Sequence, residues 1–120
     1  MAEGRMRRVD EAIRQVLGDA VTGELKDPRV GFVTVTDVST SPDLRHARVF
    51  YSVLSSDGRP SNMREREDSQ QGLESAHGYL QGRIAQELHL KHTPELRFLY
   101  DETTDRAMRV GELLESGSGE

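Results

Sequence analysis

The chain has no cysteine and no tryptophan. Without cysteine there is no disulfide, no thiolate-bound zinc and no cysteine nucleophile. Aromatic residues are only 5% of the sequence, so a core has to be assembled from Leu, Val, Ile and Ala. No apolar run approaches the roughly 18 residues that a membrane span needs. The opening stretch, Met1-Ala2-Glu3-Gly4-Arg5-Met6-Arg7-Arg8, leads into an amphipathic pattern rather than an apolar signal core. Glycine-rich phosphate loops, serine elbows and paired metal motifs are missing too. These absences together imply a cytoplasmic protein, with no membrane attachment and no cofactor.

What is present fits one polar domain. The chain has 120 residues, 34% hydrophobic and 31% charged. That size allows a single core between two packed layers and no second domain. The expected domain spans residues 1–115, with 116–120 (SGSGE) as a flexible tail. The net charge of −5 argues at first against a nucleic-acid partner. The charges are unevenly spread, however. Residues 1–50 carry 8 Lys/Arg and 8 Asp/Glu, whereas residues 51–120 carry 8 and 13, so all the net acidity lies in the later part. The earlier part holds basic clusters: Arg5, Arg7, Arg8 and Arg14; then Lys26 and Arg29; then Arg45, His46 and Arg48. A basic face is compatible with a negative total.

Apolar residues at Val9, Ala12, Ile13, Val16, Leu17, Ala20, Val21 and Leu25 form one helical stripe, which Asp27-Pro28 ends. Val30 to Ser39 and Leu44 to Leu54 are rich in β-branched residues and read as strands, joined as a hairpin by Thr40-Ser41-Pro42-Asp43. Asn62 with Glu65 opens a second helix. Its stripe passes Leu73 and Ala76, resumes at Tyr79, Leu80, Ile84, Ala85, Leu88 and Leu90, and closes at Thr93-Pro94. Glu95 to Tyr100 alternates as a third strand, and 104–115 reads as a short terminal helix. A helical crossover between the last two strands makes them parallel. The expected fold is therefore α+β, with helices on one face of a three-stranded mixed sheet.

Ala76-His77-Gly78 interrupts an otherwise continuous helix. Glycine there is less favourable than alanine by about 1 kcal/mol. A kink held by Gly78 would place free backbone N–H groups at a helix start, where a phosphate or base can meet them. From spacing alone, a bent helix without ligand is the simpler account. Solvated surface likewise accounts for the basic clusters on charge alone. If the first helix lies along the sheet edge, its two basic clusters flank one surface with Arg45 and Arg48. His89 and His92, with Glu87 close by, lack a further ligand pair and do not make a metal site. Asp101, Glu102 and Asp105 are adjacent carboxylates without an apolar surround to raise a pKa. A small hydrolase using Asp101, Asp105 or His92 is accordingly the weakest reading. A protein-interaction module without RNA contact, using the acidic stretch from Glu65 to Glu74, is the alternative to RNA binding.

Leu25-Lys26-Asp27-Pro28-Arg29-Val30-Gly31-Phe32 resembles the ribosome-binding factor A family. So do Val38 to Val49 (VSTSPDLRHARV), Thr93 to Asp101 (TPELRFLYD) and the Ala76-His77-Gly78 kink, all in the family's order. The resemblance runs from about Arg7 to Leu114. It implies a type II KH-like fold, α-β-β-α-kink-α-β, in which Ala-x-Gly replaces the Gly-x-x-Gly loop of other KH modules. It further implies a monomer without catalysis that binds 16S rRNA in free or precursor 30S subunits. Late maturation of the 16S 5′ end, growth in the cold and release by a maturation GTPase follow from the same resemblance. Carried onto this chain, Ala76, His77 and Gly78 become the RNA-facing turn. Arg83 becomes a phosphate contact, and Lys26 and Arg29 fill the matched Lys-Asp-Pro-Arg block. Relatives commonly carry basic residues after the kink, where this chain has Gln81, Gln86 and Glu87. That departure shifts weight onto Arg5, Arg7, Arg8 and Arg14.

Overall fold

A computed structural model describes residues 2–103, with side chains from residue 7 onward. The expected terminal helix over 104–115, the 116–120 tail and Asp105 lie outside the described residues. The elements are α1 (Ala2–Gly23), β1 (Phe32–Thr40), β2 (His46–Leu54), α2 (Met63–Ser75), α3 (His77–Leu88) and β3 (Glu95–Tyr100). The strands lie in the order β1-β2-β3. β1 and β2 are antiparallel, and β2 and β3 parallel. This is the expected α+β order.

The helices cover one face of the sheet. From β2, Ala47, Val49, Tyr51 and Val53 point into the core; from β3, Leu96 and Phe98 join them. Ile13, Leu17 and Ala20 on α1, Leu73 on α2, and Leu80 and Ile84 on α3 close over that face. Each fully buried aliphatic side chain contributes about 1.5–3 kcal/mol relative to exposure. The helix residues among them all belong to the apolar stripes read from the sequence.

β1 holds its inward face through an irregularity. Val35 pairs with Tyr51 and Asp37 with Phe50, which leaves Thr36 as the extra residue of a bulge. The bulge resets the alternation, so Val33 and Val35 before it and Val38 and Thr40 after it are all buried.

Several boundaries differ from expectation, each for a local reason. α1 begins at Ala2 rather than near Val9. β1 begins at Phe32, because Val30 is drawn into a turn by donating its N–H to the Asp27 carbonyl (3.0 Å). β2 begins at His46. Leu44 before it has φ of 59°, in a turn closed by its N–H to the Ser41 carbonyl at 2.8 Å. α3 stops at Leu88, where His89 takes a left-handed cap (φ 47°, ψ 39°), so Leu90 is not part of the stripe. At the start of α2, Asn62 forms a full capping box: its side chain accepts from the Glu65 N–H, and the Glu65 carboxylate accepts from the Asn62 N–H.

The break between α2 and α3 is real but is centred on Ala76. That residue is the last cap of α2 and the first of α3, with φ −88° and ψ 4°. Gly78 does not hold it. Only Gly58 among the described glycines has positive φ, and a Cβ on Gly78 would meet nothing within 4 Å. The glycine that the fold needs is Gly72, whose Cβ would stand 2.5 Å from Val30 Cγ2. There α2 presses against the turn that follows α1.

Candidate nucleic-acid interface

The kink is built from its backbone outward. The Ala76 N–H donates to the carbonyls of Gly72 and Leu73 (both 3.1 Å), and Leu80 N–H donates to the Ala76 carbonyl (2.9 Å). The amides of His77, Gly78 and Tyr79 thus lie at the open start of α3. His77 is half-buried, its ring edge-on to Phe98 with centroids 6.4 Å apart. Gly78 and Tyr79 are exposed. Beside His77, a cleft of about 430 Å³ runs along the outer edge of β3, lined by Gln70, Glu74, Arg97 and Tyr100 among others. That edge is partly closed. Gln70 Nε2 donates to the Phe98 carbonyl (3.1 Å), and Leu96 N–H donates to Gln81 Oε1 (3.2 Å).

The charged groups around the kink are already matched. The Asp27-Pro28-Arg29 turn makes a compact unit: the Asp27 carboxylate accepts from the Arg29 N–H (2.9 Å) and guanidinium (2.6 Å). Hydrogen bonding from Arg29 holds the Asp27 carboxyl at a pKa of about 2. Arg29 also donates to Ser75 Oγ (3.0 Å), which braces the end of α2. Arg83 lies between Glu24 (3.1 Å) and Glu87 (2.8 Å), with its own pKa raised chiefly by the bond to Glu87. The Tyr79 hydroxyl donates to Glu24, which pushes the phenol upward. Of the expected contacts here, Lys26 alone is a cation with no ion pair among the described residues.

A second group gathers at the hairpin end of the sheet, where β1 ends and β2 begins. Asp10 on α1 accepts from the Thr40 N–H (2.9 Å), which ties this part of α1 to the end of β1. Arg7 and Arg8 precede Asp10 and are exposed; Arg14 follows and is ion-paired to Glu11. Arg45 and Arg48 stand exposed where β2 begins. The side chain of Arg5 falls outside the described ones. The expected single basic surface is therefore two ends: Arg7, Arg8, Arg45 and Arg48 share one, while Lys26, Arg29, Arg83 and the kink share the other. The physical reason is the length of α1: near its start Asp10 is tied to Thr40 at the end of β1, whereas Glu24 just past its other end is tied to Tyr79 and Arg83 of α3, so its two basic clusters separate.

Sequence reasoning missed Arg97. In the parallel register it stands directly beside Arg48. The alternation in ELRFLY showed Arg97 facing away from the core, but its neighbour depends on the β2–β3 register, which no local pattern reveals. The catalytic candidates find structural roles or none. Asp101 accepts from the Thr36 hydroxyl (2.7 Å) and the Thr103 N–H (3.0 Å), and His92 is exposed. Among the described residues no three of His, Cys, Asp or Glu stand close enough to hold a metal ion. Nor, among them, is any helix long and apolar enough to cross a membrane.

Comparison with known proteins follows the same lines. The sequence profile of the family described as ribosome-binding factor A matches residues 5–114. The ribosome-binding factor A of Halothermothrix orenii is 40% identical over 114 residues, covering 95% of this chain and 88% of that one. That of Rubrobacter xylanophilus is 42% identical over 121 residues, covering 100% and 93%. Among solved structures, a Thermotoga maritima protein determined by solution NMR aligns at a TM-score of 0.68 with 33% identity, covering 79% of this chain and 85% of its own. The crystal structure of Thermus thermophilus ribosome-binding factor A aligns at 0.65 with 21% identity, covering 79% and 94%, a likeness of fold alone. On the profile and these relatives, the chain belongs to the ribosome-binding factor A family.

Proposed function

We propose that this protein is a ribosome-binding factor. It attaches to the small ribosomal subunit through rRNA, assists late maturation of the 16S 5′ end, and supports growth in the cold. The observation that carries this reading is family membership over nearly the whole chain. A Thermus thermophilus homologue with the same fold has been fitted into the map of a 30S complex, at a TM-score of 0.60 to this chain. The KH-like order of elements supports it, as do the exposed arginines of an otherwise acidic molecule. The contact set comprises Arg5, Arg7, Arg8, Arg14, Lys26, Arg29, Arg45, Arg48 and Arg83, with Ala76, His77 and Gly78 as the turn. Arg29 and Arg83 contribute by holding the kink in place, since their guanidinium groups are engaged by carboxylates. The protein acts as a monomer in the cytoplasm and as a binding factor rather than an enzyme, with a maturation GTPase as the agent of its release.

Co-sedimentation tests the reading. Purified protein should travel with immature small subunits at low salt and leave them as salt rises. Each phosphate contact steepens log affinity against log salt by about 0.7 for single strands and 0.9 for duplex. Cells lacking the protein should accumulate 16S rRNA with an unprocessed 5′ end, most visibly in the cold. No co-sedimentation, or attachment indifferent to salt, would overturn RNA-mediated binding and favour the protein-interaction alternative.

A further inference from the structure

The arginines of this molecule divide into two kinds. Arg14, Arg29, Arg59 and Arg83 each have a carboxylate within ion-pair distance. Arg45, Arg48 and Arg97 have none among the described residues, although they crowd together. Arg48 and Arg97 are direct neighbours on adjacent strands, and the Arg45 carbonyl accepts the Glu95 N–H (2.8 Å) at the start of the same pairing. Like charges side by side on a sheet repel. Asp43 faces Arg45 and His46, but between Arg48 and Arg97 themselves no carboxylate reaches ion-pair distance among the described residues, so their juxtaposition weakens the isolated fold and favours an external anion.

The surroundings suit a nucleic-acid backbone. Arg48 lies 5.9 Å from the centroid of the Phe50 ring and donates to Ser39 Oγ (3.3 Å), contacts that hold its guanidinium in a defined direction. A cleft of about 670 Å³ opens between the hairpin turn and the start of β3, bounded by Ser39, Thr40, His46, Arg48, Glu95 and Arg97. Thr40 on its inner wall is 4% exposed, and its hydroxyl has no hydrogen-bond partner among the described residues. One carboxylate, Glu95, stands in this cleft beside His46 in the register, so the anion sits toward Arg48 and Arg97.

We infer that Arg48 and Arg97, flanked by Arg45 and His46, form a phosphate clamp for the rRNA backbone at the hairpin end of the sheet. The inference rests on the proposed attachment to the small subunit and names the part of the chain that bears its electrostatic share. Planar guanidinium forks suit phosphate oxygens. The clamp reads backbone rather than sequence.

The test compares wild type, R97A, R97K, the double variant R48A/R97A and the control R59A for binding to isolated small ribosomal subunits between about 50 and 200 mM salt. Thermal unfolding of each free protein checks that the fold persists. The double variant should bind about tenfold or more weakly at low salt. Its log–log salt slope should be shallower by about 1.4–1.8, the share of two lost phosphate contacts. R97A should show about half that change, R97K should retain most of the slope, and R59A should match wild type. A double variant with the wild-type slope overturns the clamp even if wild type binds as proposed; a weaker affinity with unchanged slope points to a protein contact and overturns it equally. Wild type that fails to bind small subunits at any salt removes the underlying reading and the clamp with it.

Discussion

At Gly72 an added Cβ would stand 2.5 Å from Val30 Cγ2 and 3.4 Å from both the Arg29 Cβ and the Val30 nitrogen. Val30 is β-branched and cannot swing clear easily. Gly72→Ala should therefore destabilise by about 1–3 kcal/mol, as overpacking does. Gly78→Ala, in open space, should leave stability unchanged or raise it by up to about 1 kcal/mol. Urea unfolding of the two variants checks this, and a Gly78 variant as damaged as the Gly72 one would contradict the geometry. The sequence drew attention to Gly78 because it breaks a helical stripe. It could not show Gly72 as the critical position, because the neighbour that makes it so arrives from 42 residues away. At Asp27 the folded-state pKa is lowered from 3.8 to about 2. A lowered carboxylate pKa stabilises the fold fully above the unfolded value, and that contribution fades as pH falls through the folded one. Asp27→Asn should accordingly flatten the loss of stability between about pH 4 and pH 2 in an acid titration; a curve that coincides with wild type would show that the Asp27–Arg29 unit does not brace the turn.

At the scale of elements, the capping box before α2 is the clearest success of local reading. Asn62 and Glu65 were legible as a pair, and the structure shows both reciprocal bonds. Removing the cap with Asn62→Ala should lower stability by about 1 kcal/mol, measured by thermal unfolding. No change at all would mean that water replaces the cap without loss. β3 was equally legible, with Leu96 and Phe98 alternating into the core from Glu95 to Tyr100. The β1 bulge was not, since nothing in VGFVTVTDVS marks Thr36 as unpaired. It exists because Val35 and Val38 are three apart and both reach the core, a condition set by the partner strand. The ends of β2 and α3 turn on left-handed Leu44 and His89, residues that carry no glycine-like signal.

For the whole molecule, the consequence of burying one sheet face under three helices is a separation of roles along α1. One end fixes the kink through paired charges, and the other presents Arg7 and Arg8, which have no ion pair among the described residues. Residue types at the candidate site were readable from the sequence; their grouping was not, because it depends on how a long helix is laid over three strands. Replacing Arg29 should therefore act on the fold before it acts on binding. Arg29→Ala should lower the unfolding midpoint while keeping most of the salt slope of subunit binding. A stable Arg29→Ala protein that has lost that slope would place the contact at the kink instead.

Two amide side chains, Gln70 and Gln81, occupy hydrogen-bonding groups on the outer side of β3. Bare strand margins invite a second chain to add itself and grow a fibre. Charged guards would serve the same purpose but weaken in concentrated electrolyte. Neutral guards do not, so the partial cover that Gln70 and Gln81 give this flank persists in salt concentrated enough to dissolve ion pairs.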